Sequence, residues 1–183
     1  MLVKDIIKIA CGFIGQTSLK EALESNSALS EDEQLICDSL VNFFNLAYNE
    51  VACEYIPIYK RERVECEDFK VNYSSLTKAP LQIISVKDMS GRKVKFKAFD
   101  EHLVAIASQV DILYTVQPEQ CELTDTFSSS LPERVYAYAI AREYYFMQTL
   151  FDEADVWEER FKNSLQVLQR EKREIVMPRR RWV

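Results

Sequence analysis

Glycine is scarce in this chain: three in 183 residues, with five prolines. That excludes a loop-built fold and any glycine-rich phosphate cradle. There is one histidine, His102, which removes most acid–base and metal chemistry. The five cysteines, Cys11, Cys37, Cys53, Cys66 and Cys121, never stand at C-x-x-C spacing, so no zinc site or redox pair is indicated. They read as free, mostly buried thiols of a reducing compartment. No apolar run approaches the roughly 20 residues of a membrane span. Lys4, Asp5 and Lys8 interrupt the first apolar positions, unlike a signal peptide. No Walker loop, dinucleotide fingerprint, nucleophile elbow or EF-hand is present. Composition therefore points away from an enzyme and towards architecture and assembly.

What is there suits a folded α+β protein: 48% apolar, 11% aromatic and 28% charged residues, with a length expected of one domain. The formal net charge is −6, unevenly spread. The last fifteen residues carry six basic groups and two acids, leaving the rest at −10. Such an acidic body is a poor general binder of nucleic acid, which needs a positive surface.

Periodicity predicts helices over residues 2–13 and 18–25, then a longer one from Ser30, where Glu33 completes a capping box. Running to about residue 55, that helix would be about 39 Å long. Leu40, Phe44, Ala47 and Val51 form one apolar row, and Val41, Tyr48, Ala52 and Tyr55 another. Two rows require two packing surfaces, the chain's own core and a neighbouring subunit. Phe43, Tyr48, Tyr55, Tyr136 and Tyr144 are the candidate subunit-interface residues.

From Pro57 to Pro118 the pattern becomes that of an inserted antiparallel β subdomain. Strands are expected at residues 58–64, 69–73 and 81–86. A turn at Asp88-Met89-Ser90-Gly91 leads to a return strand in which Val94, Phe96 and Ala98 alternate with Lys93, Lys95 and Lys97. Residues 103–107 and 111–116 form a further expected pair, with His102 in a loop. The Lys-rich strand reads as a guarded, solvated edge.

Helix then resumes. Ser128-Ser129-Ser130 should cap a helix with Pro132 in its first turn. Val135, Ala139, Arg142, Phe146 and Leu150 are expected on one face, with Tyr136, Ile140, Tyr144 and Met147 beside it. Asp152 should cap the last helix, with Val156, Trp157, Phe161, Leu165 and Leu168 at core spacing and an end near residue 173. Residues 174–183 are expected to form an extended arm ending in Arg179-Arg180-Arg181-Trp182-Val183. Arginine and tryptophan dominate interface energetics, so this reads as a docking arm in preference to a frayed, solvated end.

The order of strand 111–116, loop, Leu131-Pro132-Glu133, the alanine-rich helix with Ala137, Ala139 and Ala141, an acidic break and a Trp157-bearing last helix resembles the head–tail connector (adaptor, head-completion) proteins of tailed bacteriophages. The ending Met177-Pro178-Arg179-Arg180-Arg181-Trp182-Val183 is similar to theirs, whereas residues 2–55 share only the helical organisation. Phe151-Asp152-Glu153 stands where the family commonly has a glycine between the last two helices. The resemblance implies a single connector-type domain with no catalytic residue, cofactor or metal. It implies a homo-oligomeric ring, typically a dodecamer, at the virion's head–tail junction, assembled in the bacterial cytoplasm. Helices would form the wall, Arg179–Val183 would dock on the portal protein, and the β subdomain (residues 57–118) would face the next neck or tail protein. Double-stranded DNA would pass through the bore without sequence-specific binding, and no membrane is involved. A different class, a nucleic-acid-binding accessory protein, would use Lys93, Lys95, Lys97 and the Arg179–Arg181 run; an enzyme built on His102 and a thiol is a third.

Overall fold

Val3, Ile6, Ile7, Ala10, Cys11 and Ile14 repeat at helical spacing and are all buried, which makes Val3–Ile14 (α1) an amphipathic helix packed on one face. Gly15 stops it in the left-handed conformation (φ 75°), its N–H donating to Cys11 O. The structure, a computed structural model, describes residues 1–171. Two units divide the chain: Met1–Tyr48 with the chain from Gln120 on, and Asn49–Glu119.

In the helical unit, Thr17–Ser25 (α2) buries Leu19 and Leu23. Glu31–Glu50 (α3) starts with the expected capping box. The Glu33 N–H donates to Ser30 Oγ at 3.3 Å, and the Glu33 carboxylate accepts the Ser30 N–H at 3.0 Å. Hydrogen bonds from the Ser30 backbone and then its hydroxyl hold the Glu33 carboxyl below its usual range. One row of α3 is buried, Cys37, Leu40, Phe44 and Ala47, while Leu35 and Leu46 are exposed. The helical path continues to residue 55, but Val51–Tyr55 is a π turn closed by the Ile56 N–H on Val51 O at 2.8 Å. Pro57 disfavours helix at the residue before it, so the path ends at Ile56.

Glu133–Met147 (α4) packs against α1 and against Phe151–Glu171 (α5). Val135, Tyr136, Ala137, Ala139, Ile140 and Ala141 are all buried, a spread too wide for a single stripe. The serines before α4 do not cap it. Pro132 is the N-cap residue, and Ser129 Oγ instead accepts the Leu131 N–H at 3.1 Å and bonds the Tyr136 hydroxyl at 2.8 Å. Nor does Asp152 cap α5: the helix begins at Phe151 and Asp152 lies in its first turn. Ala154, Phe161 and Leu165 face inward from α5, whereas Val156, expected in the core, is exposed. Arg142 joins the two helices by bonding Glu158 at 2.6 Å, with its guanidinium over the Phe161 ring.

The loop before α4 is tied to the rest of its unit. The Met1 ammonium donates to Phe127 O at 2.9 Å, and the Asn45 side-chain amide bonds Cys121 O and the Cys121 N–H at 3.0 and 2.8 Å. Phe44, Tyr48, Phe127 and Tyr136 form one ring cluster, with centroid distances from 5.0 to 6.2 Å.

The second unit contains two three-stranded antiparallel sheets rather than one. Ile58–Glu65 (β1), Lys70–Asn72 (β2), Pro80–Lys87 (β3), Phe96–Ala98 (β4), His102–Ala105 (β5) and Gln109–Val116 (β6) pair in the orders β1-β6-β3 and β2-β5-β4. The expected pairing of residues 103–107 with 111–116 is therefore corrected. β6 already has a strand on each side, so β5 joins the other sheet. Leu103 and Ala105 then pack with Val110, Ile112, Tyr114 and Val116 in one core. The Lys-rich return is corrected as well. The turn forms, with Gly91 at φ 79° and Asp88 Oδ1 accepting the Ser90 and Arg92 N–H groups. Pairing with β3 extends only through Lys87–Lys93 and the Val94 N–H on Val86 O. Phe96–Ala98 then turns to β5, which is reached by closing only three residues.

Glu62 is the polar fixture of this unit. It accepts the Thr77 N–H at 3.0 Å, the Tyr114 hydroxyl at 3.0 Å and the Lys60 ammonium at 2.9 Å. Burial by itself would raise its carboxyl, but bonds from Thr77, Lys60 and Tyr114 outweigh that and bring it to about 2. Burial, then the Glu62 bond and charge, push the Tyr114 phenol up to about 12. A carboxyl held low contributes stability that is complete above its unfolded value near ~4.3 and is lost as pH falls through the folded value. Glu62→Gln should therefore cost about 1–3 kcal/mol in urea unfolding at pH 7. The gap to wild type should narrow as pH drops below about 4.3 towards the folded value of about 2; a gap independent of pH contradicts this account.

Candidate functional site

The sequence offers surfaces as its functional candidates, and the structure distributes them unequally. Arg179, Arg180, Arg181, Trp182 and Val183 lie outside the described residues. Of the five interface candidates, Phe43, Tyr48, Tyr55 and Tyr144 are half-buried. Tyr136 is wholly buried within its own chain, so it has no surface to offer a neighbour. Ser129 bonds its hydroxyl, which lets a tyrosine sit fully inside, and burial raises that phenol to about 12. Tyr48 sits beside it in the ring cluster, and the Tyr144 hydroxyl accepts a bond from the Gln16 amide at 3.1 Å.

His102 is not in a loop. It opens β5 opposite Asn72 and stacks on Phe99 at 5.0 Å, with the Lys97 ammonium over the same Phe99 ring. Among the described residues no hydrogen bond links it to a thiol or hydroxyl. Burial pushes the Cys11 thiol up to about 12, with Cys37 adding to the shift, and burial also raises Cys37 and Cys66. A thiol held protonated is a poor nucleophile. Among the described residues no His, Cys, Asp and Glu cluster could hold a metal ion, and no helix is long and apolar enough to cross a membrane.

Two surfaces went unread in the sequence. The first is the turn between α4 and α5. Phe146, Met147, Leu150 and Phe151 are 60, 53, 45 and 55% exposed, and the Phe146 and Phe151 rings meet edge to face at 5.4 Å. Phe146 and Leu150 were expected on one face of α4 with Val135 and Ala139, which are buried. The helix stops at Met147, and Thr149 takes a left-handed conformation (φ 59°), so Leu150 falls beyond the packed turns. An abrupt stop without glycine or proline leaves little sign in the sequence.

The second is the outer face of the β1-β6-β3 sheet. Residues directly opposite in adjacent strands share a face, and Arg63, Asp111, Lys87 and Lys93 are opposite one another in that order. Arg61 lies on the same face, opposite Leu113, with its Nε 3.6 Å from Asp111 Oδ1. Four cations thus share one sheet face with Asp111, and Arg61 is the one in ion-pair contact with it. The sequence hint at Lys93, Lys95 and Lys97 was incomplete, because Lys97 lies in the other sheet, opposite Val104 and across from Lys70. Only strand register brings Arg61, Arg63 and Lys87 to Lys93.

The sequence matches no protein-family model and no curated protein at a significant level.

Replacing Phe146 and Phe151 with serine should shift unfolding free energy by no more than about 1 kcal/mol, since both are exposed. Phe44→Ala in the ring cluster should cost about 3–5 kcal/mol. The serine pair should also lessen concentration-dependent association, measured by sedimentation. A large loss of stability in the serine pair would show instead that these rings pack within the chain.

Proposed function

We propose that this chain is the subunit of a phage neck ring, a structural protein that joins head to tail below the portal and lets DNA pass. The observation that carries the proposal is the apolar surface at the α4–α5 turn. Phe146, Met147, Leu150 and Phe151 are neighbours in sequence and all exposed, and contiguous apolar patches on a protein surface commonly mark contact sites. The element order supports it: a helical unit interrupted between Tyr48 and Gln120 by a β unit and closed by two helices, as in the connector proteins the sequence resembles.

In this reading the helical units make the wall of a homo-oligomeric ring, twelve-fold as is typical of such rings. Heterologous contacts, in which each subunit uses two different patches, close into a ring when the rotation allows. The arm Arg179–Val183 docks on the portal protein, and the β unit meets the next neck or tail protein. The acidic helical body suits a wall along which DNA must move, because a lining that attracts phosphate would retain it. Nothing in the role calls for a catalytic residue or a cofactor.

The test is to size the purified protein with and without isolated portal rings. Higher assemblies should appear at least in the presence of portal, and deletion of Arg179–Val183 should abolish docking. A chain that remains monomeric and never binds portal refutes the neck role; full docking by the truncated chain refutes the role of the arm.

A further inference from the structure

The cationic sheet face has a counterpart of opposite sign elsewhere in the chain. Asp152, Asp155 and Glu159 stand at helical spacing on one side of α5, and all three are exposed. Phe151 and Val156, also exposed, flank them. Among the described residues none of these three acids, nor Arg63, Lys87 or Lys93, has an ion-pair partner. On the sheet face Arg61, Arg63 and Lys93 are exposed and Lys87 is half-buried.

We infer that the Arg61, Arg63, Lys87 and Lys93 face of one subunit docks on the Asp152, Asp155 and Glu159 stripe of a second copy of this chain, forming the head-to-tail contact of the ring. The inference rests on the neck-ring proposal and names the contact that proposal requires. The dimensions agree. Three steps between adjacent strands place Arg63 and Lys93 about 14 Å apart. Seven helical residues place Asp152 and Glu159 about 10 Å apart. Exposed Tyr59 and half-buried Leu113 on the sheet face supply apolar contact for Phe151 and Val156.

Charge distribution selects a second copy over a nucleic acid. Residues 49–119 are nearly neutral, with ten Lys or Arg against eleven Asp or Glu. Residues 120–168 have four against nine, and residues 1–48 three against seven. A helical unit of that sign attracts the cationic face, whereas the net charge of −6 repels a polyanion at long range. The face has a single exposed aromatic, Tyr59, and so no platform on which successive bases could stack.

The test is a charge exchange, followed by sedimentation at low ionic strength, alone and with portal rings. One variant carries Arg63→Glu and Lys93→Glu; the other carries Asp155→Lys and Glu159→Lys. All four positions are exposed, so both variants should fold, which circular dichroism checks. Each variant alone should assemble at least about tenfold more weakly than wild type, because like charges now meet. An equimolar mixture should recover wild-type assembly, since each variant then offers the surface the other lacks. Normal assembly of either variant, or a mixture no better than its parts, overturns the inference. If wild type assembles but the first variant loses only duplex DNA binding in a mobility shift, the face belongs to nucleic acid and the inference falls. A wild type that stays monomeric with and without portal defeats the neck ring and this contact together, whereas normal rings built from the first variant defeat the contact alone.

Discussion

Most of the first half of α4 is covered: Val135, Tyr136, Ala137, Ala139, Ile140 and Ala141 are buried, Ser129 bonds the Tyr136 hydroxyl, and only the side carrying Arg134 and Tyr138 reaches the surface. A helix buried on several faces must have neighbours on each, and the three alanines let those neighbours come close. α1 and α5 pack on it, and the rings of Phe44, Tyr48 and Phe127 close around Tyr136. The rest of the helical unit is arranged by that requirement. The N-terminus and Asn45 hold the preceding loop in place, and Arg142 fastens α5 through Glu158.

The cover is finite, and its end leaves an apolar surface exposed. Beyond Ala141, α4 carries Phe146 and Met147 outward, the backbone turns at Thr149, and α5 starts with Phe151 already exposed. Core and exposed apolar surface are therefore successive stretches of one apolar sequence, separated only by where the partner helices stop. In the β unit, Glu62 plays the organising part. A carboxylate that collects bonds from Thr77, Lys60 and Tyr114 ties β1 to β6 and to the segment before β3. Three donors offset the cost of keeping its charge away from water.

Much of this was legible in the residues. The Ser30–Glu33 capping box and the Asp88–Gly91 turn are local events, decided by groups within a few positions of each other. The α+β class and the position of the β insertion follow from a change of hydrophobic period, also a local property. The errors arose where a local pattern had two outcomes. Three serines before a helix suggest a cap, yet Ser129 is engaged by Tyr136, seven residues on. Alternation marks Phe96–Ala98 as a strand without saying which strand it meets.

Sequence by itself settled the kinds of element, their order and the split between an acidic body and a basic end, because these depend on neighbours along the chain. Tertiary structure alone decided which tyrosine is interior, where α4 outruns its cover and which cations stand together. Arg63 and Lys93 are thirty residues apart and come onto one sheet face only through the pairing of β6 with both β1 and β3. Register is set by which faces can be buried together, and that choice belongs to the whole packed unit.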